Sequence, residues 1–169
     1  FFFICLMGAS TVSTDFNVLI YILCLLFFFQ IAFNNAAEGG LKDVDHDGMA
    51  NAKTLAQSLG VTVKDGVLRI TKSFVAFAYG LRLIFLGLIV FLGSKPDLDI
   101  WSYRHSIQMT IIVILIGIIF LVLTKFLRNM KFNRSRLMRL FSIHEMASYF
   151  ILILVLSPLF ELQFTIFLL

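Results

Sequence analysis

Charge is scarce in this chain of 169 residues: only 14% are Asp, Glu, Lys or Arg, against about 25% in soluble globular domains. That shortage argues against a domain surrounded by water. Cysteine is scarce as well. Cys5 and Cys24 both sit inside apolar runs, with no CxxC spacing and no His beside them, which excludes a disulfide framework and a thiolate zinc site and leaves them as small apolar fillers. The chain also lacks HExxH, GxSxG and P-loop signatures and has no paired carboxylates at one depth, so no enzyme is expected.

What the chain has in quantity is hydrocarbon. Apolar residues make up 60% of it and its mean hydropathy is +0.96. A transmembrane helix needs about 20 apolar residues to cross a core roughly 30 Å thick, and the sequence supplies that length four times. The expected fold is therefore an all-α integral membrane protein with four transmembrane helices, at residues 16–34, 74–93, 106–124 and 143–169. Asn34 and Asn35 mark the exit of the first span, Ser94 to Pro96 end the second, and Trp101 and Tyr103 precede the third where an interfacial aromatic belt is expected. The fourth opens on Ser142 and Glu145, the spacing of a capping box, and carries a kink at Pro158. Before the first span, residues 1–15 open on FFFICLMGASTVST, an apolar stretch with small residues that resembles the end of a signal peptide and is read as a retained interfacial segment or the tail of an earlier helix.

The basic residues are distributed unevenly. Of 14 Lys and Arg, 11 lie after the first and third runs: Lys42, Lys53, Lys64, Arg69 and Lys72, then Lys125, Arg128, Lys131, Arg134, Arg136 and Arg139. By the positive-inside rule both basic stretches face the cytoplasm of a bacterium or the matrix of a mitochondrion, across the respective inner membrane. The net charge of +4 then serves orientation and anionic lipids at the basic loop 125–142, not nucleic acid.

Residues 35–72 form the one segment that reads as soluble, on the basic side. Ala50 to Leu59 has good helix formers and stops at Gly60. VTV, the turn Asp65-Gly66 and VLRI read as a hairpin, because Asp-Gly tolerates the positive φ angles of a type I′ turn. This helix-plus-hairpin insert between the first and second spans is too small to be stable alone and should rest on the membrane face or on a partner.

Within the insert, DVDHDG at Asp43 to Gly48 matches half of a calcium loop, with oxygens from Asp43, Asp45, Asp47 and Asn51 at metal-ligand spacing. The pattern resembles EF-hand and related aspartate-rich calcium loops. The position of the bidentate Glu is occupied by Thr54, so affinity for Ca2+ would be weak; the alternative is an acidic turn that caps the helix at Ala50. No other cofactor is expected.

Inside the spans the exceptional residues are Arg82, Gln30 and Glu161. An Arg near the midplane costs roughly 2.5 to 3.5 kcal/mol on insertion scales and should face protein or water. Glu161, brought inward by the Pro158 kink, is its candidate counter-charge; Gln30 is neutral. No complete polar pathway accompanies Arg82. His144 and His105 read as interfacial anchors on opposite membrane faces. On the second span Ala76, Gly80 and Gly87 fall within about 40° on a helical wheel, a small-residue stripe for close helix packing, with Arg82 on roughly the opposite side.

Two functional readings follow. The first is a structural or accessory subunit of a larger membrane complex, whose other subunits cover both faces of the second span. The second is a small ion channel or transporter, homo-oligomeric and modulated by a cation at the acidic loop.

Overall fold

The computed structural model describes residues 18–50, 52–95 and 106–159. It is mostly helical. The first helical rod comprises α1 (Val18–Phe33), a π-helical segment (Asn34–Gly39) and α2 (Gly40–Ala50). A single-turn helix α3 (Leu55–Ser58) leads to strands β1 (Thr62–Lys64) and β2 (Val67–Arg69), followed by α4 (Lys72–Gly93). Then come α5 (Ser106–Phe126), β3 (Met130–Lys131), α6 (Arg134–Leu156) and a 3-10 turn at Ser157–Leu159.

Four helices are long and apolar enough to cross a membrane: Val18–Asp47, Lys72–Gly93, Ser106–Phe126 and Arg134–Leu156. They fit a multi-pass, membrane-embedded protein. Large apolar side chains such as Leu83, Ile84, Phe91, Ile107, Val113 and Leu121 point outward, as expected where hydrocarbon is the solvent and not water.

The helix ends differ from the expectations in instructive ways. The first helix does not stop at Asn34 and Asn35. The polar groups that look like an exit are carried onward in π geometry, and Asn34 finds partners at Gln30 and Glu145. Asp43 to Gly48 is accordingly helix, not a loop or turn. The expected helix Ala50 to Leu59 is reduced to the single turn α3, because Thr54 takes the extended N-cap conformation and its hydroxyl accepts from Gln57 N–H. Likewise α6 begins nine residues before Ile143, at Arg134, where Asn133 Oδ1 caps the helix by accepting from Arg136 N–H at 2.9 Å. Arg134, Arg136 and Arg139 are thus helical, and the expected loop 125–142 shrinks to the connection around β3. At the far end α6 stops at Leu156 and tightens to a 3-10 turn over Ser157–Leu159, which contains Pro158. Residues 1–15, Asn51, Trp101, Tyr103, His105 and Glu161 lie outside the described residues.

The hairpin forms as expected. Asp65 (φ 54°) and Gly66 (φ 71°) both take positive φ, and Val63 stands opposite Leu68. Its support was not legible: β3, from the connection between α5 and α6, adds an antiparallel third strand to β2. Phe132 N–H donates to Gly66 O at 2.8 Å and Asn129 Oδ1 accepts from Ile70 N–H at 2.7 Å. The sheet therefore ties the two basic connections into one layer at one end of the bundle. Beneath it lies an apolar cluster that includes Leu41, Val44, Ala56, Leu68, Phe74 and Phe126. A second cluster, including Leu26, Phe85, Ile89, Ile112, Ile151 and Val155, fills the other half of the bundle.

Gly40 marks the tightest crossing beneath the sheet, since a Cβ there would lie 2.9 Å from the Ala56 methyl. Gly40→Ala would gain about 1 kcal/mol of helix propensity, but overpacking a full core costs roughly 1–3 kcal/mol. The net effect should be a lower thermal midpoint in detergent, partly recovered by adding Ala56→Gly. A midpoint equal to or above wild type in the single variant would show that the crossing has room.

Candidate functional site: a polar cluster inside the bundle

Each helical rod that meets Arg82 presents polar side chains four residues apart. Gln30, Asn34 and Glu38 follow one another along the first rod, while His144 with Ser148 and Glu145 with Tyr149 form two columns on α6. An α-helix advances about 40° for every four residues. The wider i→i+5 turns of the π segment oppose that drift, so Glu38 stays on the face set by Gln30 and Asn34.

Arg82 lies ten residues into α4, about 15 Å from its start at 1.5 Å per residue. That is near the midplane of a span. Its side chain is 0% exposed, and its partners come from the chain itself. Nη1 donates to Gln30 Oε1 at 2.9 Å and to Ser148 Oγ at 3.2 Å, while Nη2 stands 3.4 Å from His144 Nδ1. The guanidinium also lies 4.1 Å above the Phe33 ring centroid and 5.0 Å from that of Phe85, within cation–π range.

Two routes lead from Arg82 to carboxyl groups. In the first, Gln30 Nε2 donates to Asn34 Oδ1 at 2.9 Å and Asn34 Nδ2 donates to Glu145 Oε1 at 2.6 Å. Every donor in that run points the same way, so two amides join a guanidinium to a carboxylate. Tyr149 supplies Glu145 with a second donor at 3.5 Å. In the second route, His144 Nδ1 also lies 2.8 Å from Glu38 Oε1. Ser148 Oγ donates to His144 O at 2.8 Å, leaving its lone pairs for Arg82. Both Glu38 and His144 are buried, and the His144 ring packs 4.8 Å from Phe33 and 5.7 Å from Phe126. Among the described residues, the buried side-chain polar atoms without a partner are Arg82 Nε and His144 Nε2.

The cluster is lopsided along the bundle. Glu38, next to α2, lies on the side of Arg82 nearer the basic, sheet-bearing end, where the first apolar cluster, with Ala37, Leu41 and Phe126, is packed. On the other side of Arg82 the second apolar cluster closes the interior. Toward the far end Gln108 on α5 donates to Ser157 Oγ at 2.6 Å and to Leu154 O.

No known protein family, curated protein or solved structure matches this chain. The site is therefore read from its own geometry.

Several expectations change. Arg82 is inward and partnered within the chain; of its two candidate partners Gln30 is in place, and Glu161 lies outside the described residues. Arg82 does have polar company, a buried cluster of side chains contributed by the first rod and α6. His144 is no interfacial anchor, being fully buried against Arg82. The small-residue stripe does face away from Arg82: Ala76 is exposed, and a Cβ added at Gly80 or Gly87 would meet nothing within 4 Å. At the acidic segment Asp43 and Asp45 turn to Arg134 Nη2, at 3.3 and 3.2 Å, while Arg134 Nε donates to Lys42 O. Among the described residues no three His, Cys, Asp or Glu side chains gather around a common point, and Asn51 falls outside them.

Glu38, Asn34, His144, Glu145 and Ser148 escaped sequence reasoning as a site. The signal that could have found them is polar residues at i, i+4 inside or beside an apolar run, which is costly in lipid unless they meet.

Gln30 connects Arg82 to the amide run, so Gln30→Leu should cost about 2 kcal/mol, the range for hydrogen bonds to charged groups. Ser148→Ala removes a longer contact and should cost under about 1 kcal/mol, nearer the average interhelical bond. Denaturant titration in mild detergent ranks the two; a reversed order would mean that Ser148, not Gln30, anchors the guanidinium.

Proposed function

We propose that the protein is a small multi-pass membrane transport protein, with the Arg82 cluster as the site that the transported or coupled ion visits. One observation carries the reading: a fully buried Arg82 is joined by hydrogen-bonded side chains to two carboxyl groups, Glu38 and Glu145, on the path to one end of the bundle. Holding ionisable groups inside apolar helices is costly, and in membrane proteins such groups mark ion pathways and relays. A merely structural interior would be cheaper if filled with hydrocarbon.

The positive-inside rule orients the sheet-bearing end, with Lys72, Lys125 and Arg134, toward the cytoplasm or matrix of a bacterial or mitochondrial inner membrane. Anionic lipid headgroups are the natural partners of these side chains. In this orientation Glu38 lies on the inward side of Arg82, with the first apolar cluster between the sheet and the site and the second apolar cluster on the outer side.

A second reading, a subunit of a larger membrane complex, draws on one observation. The exposed face of α4 carries Ala76, Gly80 and Gly87 with nothing packed on the glycines, and small residues let a neighbouring helix approach closely. Both readings are compatible if several copies or partners assemble along α4.

Reconstituted in vesicles, the wild-type protein should pass ions under an imposed gradient, and Arg82→Leu should lower that flux at least tenfold while still inserting. Equal flux through both proteins would remove Arg82 from the pathway. Purification in mild detergent addresses the second reading: a particle near the 19.2 kDa chain mass after micelle correction would leave the α4 face to lipid.

A further inference from the structure

Resting on the transport reading, we infer that the ion taken up by this cluster is the proton, loaded one at a time onto the Glu38 carboxyl through the His144 ring. Two independent features of the geometry lead there.

The first is a count of charge. Arginine is not deprotonated in proteins, and the amide run from Gln30 through Asn34 aims its dipoles from Arg82 toward Glu145. Glu145 is thereby the counter-charge of Arg82. With two donors, Asn34 and Tyr149, it is supplied as a carboxylate should be. Glu38 is then one carboxyl too many. Its hydrogen-bond partner is His144, and a second buried anion without its own cation is expensive. One bound proton removes that excess.

The second is a conflict at one atom. His144 Nδ1 is 2.8 Å from Glu38 Oε1 and 3.4 Å from Arg82 Nη2. A ring nitrogen offers either one N–H or one lone pair, and a guanidinium only donates. With Nδ1 protonated, the ring serves the Glu38 carboxylate and turns an N–H toward Arg82. With Nδ1 bare, it accepts from Arg82 or from a protonated Glu38. The ring thus has two arrangements that differ by the position of a proton.

Loading balances through the ring. Nε2 is a buried ring atom left without a partner, beside the Phe33 and Phe126 rings. Once those rings part to admit it, hydronium gives a proton to form an N–H bond at Nε2, the Nδ1–H bond breaks as an O–H bond forms on Glu38 Oε1, and water is the product. The ring ends neutral, with its hydrogen on Nε2 and its Nδ1 lone pair facing the new O–H. Release runs in reverse. The charged and titratable groups around His144 are Glu38 from the π segment, Arg82 from α4 and Glu145 from α6 itself; α5 presents the Phe126 ring.

Infrared difference spectra of the full chain, recorded through pH steps between roughly 4 and 9, test the binding. A carboxylic-acid C=O band should appear on acidification, vanish in Glu38→Gln and persist in Glu145→Gln, with circular dichroism confirming that each variant is folded. A band that vanishes in Glu145→Gln instead, or no band at all, overturns the assignment to Glu38. Vesicles carrying an internal pH dye test the transport. Wild type should collapse an imposed proton gradient, and Glu38→Gln and His144→Phe should each slow the collapse at least tenfold. Flux of another ion without proton flux would overturn this inference and leave the transport reading standing. A Glu38 band without flux of any ion would instead overturn the transport reading and leave Glu38 as a proton-binding group.

Discussion

A guanidinium at the middle of an apolar bundle is the constraint around which the rest is arranged. Arg82 does not shed its charge and is fully buried, so the two helices packed against it must bring polar atoms to it. Gln30 and Ser148 meet one nitrogen and His144 the other, over sequence separations of 52, 66 and 62 residues. These contacts fix the rotation of α1, α4 and α6 more strictly than interchangeable aliphatic side chains could. Where hydrocarbon lies on both sides of a helix, apolar packing alone discriminates weakly between rotations; a buried charge makes the wrong ones costly.

The two halves of the bundle follow from that placement. On the basic side the polar side chains reach from Arg82 to Glu38 in the π segment, the first apolar cluster packs beyond them, and the three-stranded sheet joins the two connections. Opposite it, Phe85, Ile89, Ile112 and Val155 close the interior. The π segment is central to this division. By opposing the angular drift of the helix it keeps Glu38 beside His144, and the local geometry that looks like the end of a span is what extends the polar face.

Legibility varied with the range of the interaction. The lengths of the second and third spans were readable within two residues, because each is a run of hydrocarbon bounded by polar side chains. The hairpin was readable from Asp65-Gly66. The capping box at Ser142 misled because another cap, Asn133, lies further upstream and the basic turns between them extend the same helix. DVDHDG misled for a related reason. Its spacing suits a loop, yet Arg134, 91 and 89 residues from Asp43 and Asp45, draws both carboxylates to one side of a helix.

The sequence by itself determined that four helices can cross a membrane, which end of the bundle is basic, where one tight turn falls, and that Arg82 and the Ala76, Gly80, Gly87 stripe occupy different faces of one helix. Each is a property of neighbouring residues or of a single helical period. Only the tertiary structure decided which polar groups meet: that Arg82 is answered by Gln30, His144 and Ser148, that Gln30 and Asn34 lead from it to Glu145, and that His144 stands between it and Glu38. Those pairings depend on how helices rotate and cross, and the energy that selects them arises when side chains far apart in the chain are buried together.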